Sequence, residues 1–179
     1  MNKITVKDIA LMAILTALLF VQEQLLSFIP NVQLTFLLIV LFSKKLGTIK
    51  TLIIITCHVL LDNLFMSSFN VLFVCFNLIG YAIIPITLNT IFKKIDSNII
   101  LGLLGVLYSI IYSWLYIIPN IILLDVDMLA YFIADIPFEL ILCFSSLLTI
   151  VLLYNPLSKV LDNLLESKET QIWVSLLFV

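Results

Sequence analysis

Long apolar stretches alternate along the chain with short polar breaks, and the breaks are rich in residues that end helices, among them Pro, Asn and Gly. A helix that crosses a bilayer needs about 20 mostly apolar residues. On that template a first span runs from Asp8 to Phe28 and stops at Pro30-Asn31. A second, Gln33 to Phe42, is short for a crossing and stops at Lys44-Lys45-Leu46-Gly47. A third runs from Ile49 to Met66 and leads into the turn Ser67-Ser68-Phe69-Asn70. The fourth covers Val71 to Phe92, up to Lys93-Lys94. The fifth covers Ile99 to Leu124, with Pro119-Asn120 near its end, and the sixth Met128 to Leu153, closed by Asn155-Pro156. The predicted fold is an all-α integral membrane protein, a compact bundle of six transmembrane helices over residues 1–156. Residues 157–179 read as a cytoplasmic tail whose leucines and charges suit an interfacial amphipathic helix. No two halves resemble each other, as an inverted-repeat transporter would require.

Charge adds an orientation. All nine basic residues are lysines: Lys3, Lys7, Lys44, Lys45, Lys50, Lys93, Lys94, Lys159 and Lys168. The six-span path places every one on the same side. Cytoplasmic loops carry the excess of Lys and Arg, so both termini are expected in the cytoplasm. Composition agrees, with 63% hydrophobic and 11% charged residues and a mean hydropathy of +1.26. Soluble chains average about 45–50% apolar and about 25% charged. A net charge of −2 with no arginine and no basic tract excludes a phosphate-tracking nucleic-acid surface. Cys57, Cys75 and Cys143 form no CxxC or Cys/His cluster and read as small packing residues. The N-terminal stretch lacks a small-residue cleavage site and is apolar as far as Phe28, so it reads as a retained span rather than a signal peptide.

Polar groups within a bilayer are costly and face a cavity or another helix. Here they gather toward the outer half, from several spans. Glu23 lies near the outer end of span one, Asp62 in the outer half of span three, and Asp135 and Glu139 one turn apart in span six. Asn31, Gln33, Asn63, Asn70, Asn77 and Asn120 map to the same half or its loops. Asn70, Asn77 and Tyr81 share one face of span four; Tyr108 and Tyr112 share a face of span five, with Tyr116 a turn further and Trp114 nearby. Tyr108 and Tyr112 lie too deep for an interfacial aromatic belt. Ligand sites are concave and aromatic-rich with a few placed polar groups, so the set reads as a pocket open to the outside. Taken singly, each residue has the plainer reading of an interhelical hydrogen bond. Asp125 and Asp127 are expected in solvated loop. In span one, Ala10, Ala13 and Ala17 of IALMAILTALLF form a stripe of small residues on which a second membrane helix can dock closely.

With its size, its six spans, the alanine stripe after KDIALMAILTAL, the turn IPNVQLT between the first two spans and ADIPFELI at the start of the sixth, the chain resembles the substrate-binding S component of energy-coupling factor (ECF) vitamin transporters, a resemblance that extends to about Asn163. It implies a high-affinity binding subunit in the plasma membrane of a prokaryote, without an ATPase of its own. A transmembrane T component and two ABC-type ATPases would power uptake. Ala13 and Ala17, with Ala10 beside them, would contact the T component. A water-soluble vitamin would sit near the outer surface under the loop joining the first two helices, and the subunit would topple in the membrane to deliver it.

The resemblance does not carry over a substrate; the residues narrow it. The outer half holds Glu23, Asp62, Asp135 and Glu139 and no lysine. A neutral or cationic heterocycle that donates hydrogen bonds and stacks on Tyr or Trp fits: thiamine, its pyrimidine precursor, a pyridoxine-like vitamer or a purine-like base. Carboxylates such as folate and pantothenate fit less well, unless helix-terminus amides receive them. The candidate substrate-binding set is therefore Glu23, Asn31, Gln33, Asp62, Asn70, Asn77, Tyr81, Tyr108, Tyr112, Trp114, Asp135 and Glu139. An enzyme is disfavoured: there is one histidine, no HExxH and no nucleophile-elbow serine. No catalytic residue, metal ligand or cofactor is expected. Two other readings are an autonomous channel or secondary carrier, proton-coupled through His58 and Asp62 one turn apart, and a small membrane scaffold whose polar residues only hold helices together.

Overall fold

In the computed structural model, which describes residues 4–65, 69–124 and 127–166, the chain is helical and the described residues contain no strand. A capping box starts α1 (Val6–Leu26): Thr5 Oγ1 accepts from the Asp8 amide at 3.2 Å, and Asp8 Oδ2 accepts from the Thr5 amide at 3.0 Å. There follow α2 (Thr35–Leu46), α3 (Thr48–Phe65), α4 (Val71–Thr90), α5 (Asn98–Leu124) and α6 (Met128–Glu166). All but α2 are long and apolar enough to cross a membrane, five spans in the described residues. Their outward faces carry exposed Ile14, Leu18, Leu25, Leu103, Leu140, Phe144 and Leu152, the surface that hydrocarbon would cover.

The second element, expected as a short span over Gln33–Phe42, is α2, which ends at the lysines Lys44 and Lys45. With 12 residues, α2 is about 18 Å long, against a hydrocarbon core of about 30 Å. It is the hub of the bundle. Every residue from Thr35 to Ser43 is buried, and the helix packs against all five others. Around it close Leu19, Ile54, Ile55, Ile84, Leu88, Leu101 and Ile150. Its first turn lacks a side-chain cap of its own, and Gln22 of α1 supplies one: the Leu34 amide donates to Gln22 Oε1 at 2.9 Å, and Gln22 Nε2 donates to Thr35 Oγ1 at 2.8 Å.

The sixth helix departs from expectation. It does not stop at Asn155-Pro156 but continues through Pro137 and Pro156 to Glu166, 39 residues in all. Leu157, Leu161 and Leu165 pack on the core, and Asp162 pairs with Lys45 at 2.6 Å. These contacts hold the extension despite the backbone donor that each proline removes. Residues 157–166, expected as a separate interfacial tail, are thus the end of α6; 167–179 lie outside the described residues, as do Asp125 and the turn residues Ser67 and Ser68. Asp127, expected in loop, accepts from the Ala130 amide at 2.9 Å at the start of α6.

The lysines within the described residues gather at one end of the bundle. Lys44 Nζ donates to the carbonyls of Phe92 and Lys93 at 3.2 and 3.1 Å, closing the end of α4, and Lys50 pairs with Asp8. Cys57 and Cys75, expected inside, are exposed on the outward surface; Cys143 is half-buried.

Candidate functional site

At the end away from the lysines a cavity of about 370 Å³ opens among α1, the α1–α2 loop and α3 to α6. Its polar lining comes from Glu23 of α1, Asn31 and Gln33 of the loop, Asp62 of α3, Asn77 of α4, Ser113 of α5 and Asp135 of α6. Its aromatic lining is Tyr112 and Tyr116 of α5 with Tyr131 and Phe138 of α6, and Leu142 completes it. A second hollow of about 270 Å³ adjoins it and shares Glu23, Asn31, Gln33 and Asp62.

The loop is fixed over this cavity by its backbone. Asn31 has φ 58°, a left-handed conformation that Asn tolerates better than most residues, and its Nδ2 donates to the Phe138 carbonyl at 2.9 Å. Two residues on, the Gln33 amide donates to Ser145 Oγ at 3.3 Å, and that hydroxyl donates to the Gln33 carbonyl at 3.2 Å. The loop is thereby stitched to α6.

One wall is a column of stacked rings. Tyr81 and Tyr112 lie 4.6 Å apart at 20°, Tyr112 and Tyr116 5.8 Å apart at 19°, and Phe36 meets Tyr112 edge-on at 5.8 Å. Tyr112 donates to Asn77 Oδ1 at 2.9 Å, which fixes its ring. Gly80 lets the column stand so close to α4: a Cβ there would lie 2.8 Å from Tyr112 Cδ2.

The carboxylates are held separately. Asp135 Oδ2 accepts from Ser113 at 2.8 Å, and Asp62 Oδ1 accepts from Gln24 Nε2 at 3.1 Å. Glu23 Oε2 lies 3.0 Å from Nε2 of His58, which is 1% exposed. The two atoms stand close without the alignment of a hydrogen bond. Glu23 Oε2 and His58 Nδ1 have no hydrogen-bond partner among the described residues. His58 therefore faces Glu23 of α1, and Asp62, one turn along on its own helix, is engaged by Gln24. No three His, Cys, Asp or Glu side chains among the described residues converge as metal ligands.

Of the twelve residues singled out in the sequence, the cavity brings together Glu23, Asn31, Gln33, Asp62, Asn77, Tyr112 and Asp135. The other five lie elsewhere. Tyr81 is buried behind Tyr112 in the column. Tyr108 is buried deeper, its hydroxyl 2.7 Å from Thr87 Oγ1. Asn70 caps α4, accepting from the Leu72 amide at 2.9 Å. Trp114 is 53% exposed on the outward surface, against Phe132. Glu139 lies off the face that Asp135, Phe138 and Leu142 turn to the cavity. Missing from the sequence set were Ser113, Tyr116, Tyr131, Phe138 and Leu142. Helical spacing was the available signal: Tyr116 is four residues from Tyr112, and Phe138 and Leu142 are three and seven from Asp135.

Ala13 and Ala17 are exposed and, with Ile9, Leu60, Leu61 and Leu64, line an apolar groove of about 520 Å³ between α1 and α3; Ala10 does not line it. Compared with known proteins, the chain matches no protein-family model, no curated protein and no solved structure.

Proposed function

We propose that this chain is the membrane-embedded substrate-binding subunit of an ECF-type transporter, and that it captures a small water-soluble heterocycle, neutral or cationic, at the outer face of a prokaryotic plasma membrane. Both termini are then cytoplasmic, because the lysines mark the inner end. A T component and two ABC-type ATPases supply the driving force. The observation that carries this reading is the cavity at the lysine-free end. Three carboxylates from three helices line it beside a tyrosine column, and no lysine is among its lining residues. A flat ring stacks on Tyr112 or Tyr116 while its amino groups or positive charge meet Glu23, Asp62 or Asp135. A cavity of about 370 Å³ suits a single small heterocycle. The exposed alanines on the α1–α3 groove support docking of a partner helix there.

The partner requirement separates this reading from an autonomous carrier. Cells expressing the chain are expected to accumulate radiolabelled thiamine, pyridoxine or adenine only when a T component and both ATPases are co-expressed. Ala17→Trp is expected to abolish that uptake while purified protein still binds the compound. Uptake by the chain alone would contradict the proposal and favour the carrier.

A further inference from the structure

The second hollow beside the cavity offers a different kind of surface. It holds about 270 Å³ between the last turns of α1 and the α1–α2 loop. No aromatic side chain lines it. Its polar lining, beyond the four residues shared with the cavity, is Gln24 and Ser27. The cavity of about 370 Å³ already falls in the range of about 300–1,000 Å³ usual for small-molecule sites. A single ring on the tyrosine column therefore has no need of the second space. Yet that space is shaped in advance. The Ile29 amide donates to the Leu26 carbonyl at 2.9 Å and the Val32 amide to the Ile29 carbonyl at 3.3 Å, and Asn31 clasps the loop to α6. A hollow held open in this way costs little ordering to fill.

Its amide side chains are each half engaged. Gln24 Nε2 donates to Asp62, Asn31 Nδ2 to the Phe138 carbonyl, and Gln33 Oε1 accepts from the Thr35 hydroxyl. Left over for a ligand are Gln24 Oε1, Asn31 Oδ1 and Gln33 Nε2, which are two acceptors and one donor. A hydroxyl both donates and accepts, so an arm with several hydroxyls satisfies such a set. An ammonium only donates, and a flat ring finds nothing to stack on. Glu23 and Asp62 line both hollows and so stand where the two meet. No lysine lines either one. A phosphate on the arm would pass these two acids and find no cation, a costly burial of charge.

We propose that the site takes a two-part ligand, built as a nucleoside is: a flat heterocycle on the tyrosine column, joined to an unphosphorylated, hydroxylated arm that fills the second hollow. The inference rests on the proposed binding function and narrows its substrate class. The ring's amino group or charge meets Glu23 and Asp62 at the seam. The arm's hydroxyls meet the amides of Gln24, Asn31 and Gln33 under the loop.

The test is calorimetric titration of the intact protein in detergent with three series of probes. Each series holds a bare ring, the ring with its hydroxylated arm, and the monophosphate of that arm: adenine, adenosine and adenosine monophosphate; cytosine, cytidine and cytidine monophosphate; lumichrome, riboflavin and riboflavin monophosphate. Pyridoxine serves as a single-ring control. In at least one series the arm is expected to tighten binding by about 10- to 100-fold over the bare ring, the worth of two or three added hydrogen bonds, and the monophosphate to lose that gain. This comparison is made on the wild-type protein and depends on no variant folding. Ser27→Trp, at an exposed position that lines only the second hollow, is expected to erase the gain and leave the bare ring's affinity unchanged. Binding of bare rings or pyridoxine with no advantage from the arm overturns the two-part site and leaves the binding function standing. So does an advantage that survives Ser27→Trp, and monophosphates that bind as tightly as the free arms overturn the hydroxyl assignment. Silence from every probe overturns both the two-part site and the binding function.

Discussion

Asn31 combines a backbone and a side-chain role: its positive φ turns the α1–α2 loop, and its amide ties that loop to α6 through the Phe138 carbonyl. Asn31→Ala is expected to lower stability by about 1–2 kcal/mol, from the left-handed conformation and the lost hydrogen bond together. Asn31→Gly loses only the bond and is expected to be milder; thermal unfolding in detergent compares the two. Glu23 and Asp62 face the cavity without a lysine nearby, so Glu23→Gln or Asp62→Asn is expected to weaken a cationic ligand by about 10- to 100-fold, the worth of a charged hydrogen bond of about 1.5–3 kcal/mol. An equal loss for an uncharged ligand would assign both acids a structural role. At this scale the sequence was informative for polar residues. An Asn or Asp in an apolar stretch needs a partner or a cavity, which is why Glu23, Asp62, Asn77 and Asp135 stood out. It was less informative for aromatics: Tyr108, Tyr112 and Trp114 sit on one helix, but packing alone decides that Tyr112 faces the cavity, Tyr108 the core and Trp114 the outside.

Close approach of helices governs the next scale. Gly80 admits the Tyr112 ring against α4, and Gly105 admits Ile150 and Ser146 of α6 against α5, where an added Cβ would clash with both side chains. Gly80→Ala is expected to push Tyr112 off the column and reduce ligand affinity with a modest loss of stability. Gly105→Ala, far from the tyrosine column, is expected to cost about 1–3 kcal/mol of stability, as overpacked cores do, with affinity unchanged. Titration and thermal unfolding of both variants separate the two effects. Five spans were legible in the sequence because a lipid-crossing helix must be long and apolar. The character of α2 was not, since hydropathy does not distinguish a helix wrapped in lipid from one wrapped in protein; only its shortness hinted at a hub. The continuation of α6 past Pro156 depends on Lys45 and on leucines meeting the core, contacts between segments distant in sequence.

The whole molecule is polarised. Lysines close one end through Lys44, Lys45 and Lys50, while the acidic cavity opens at the other. If the lysine end is cytoplasmic, Ser27→Cys in a cysteine-free background is expected to react with an impermeant maleimide on intact cells, and Ser97→Cys only after permeabilisation. Both positions are exposed at opposite ends of the bundle. The reverse pattern would invert the topology and place the cavity inside. The most direct measurement is a thermal-shift titration of purified protein against water-soluble vitamins and their precursors, since a ligand that binds only the folded state raises its melting temperature. Trp114 faces outward, so melting is a better readout than its fluorescence. The account predicts saturable stabilisation by a neutral or cationic heterocycle, weakened in Glu23→Gln and Asp62→Asn. Stabilisation by a carboxylate vitamin alone, unaffected by those substitutions, would contradict it.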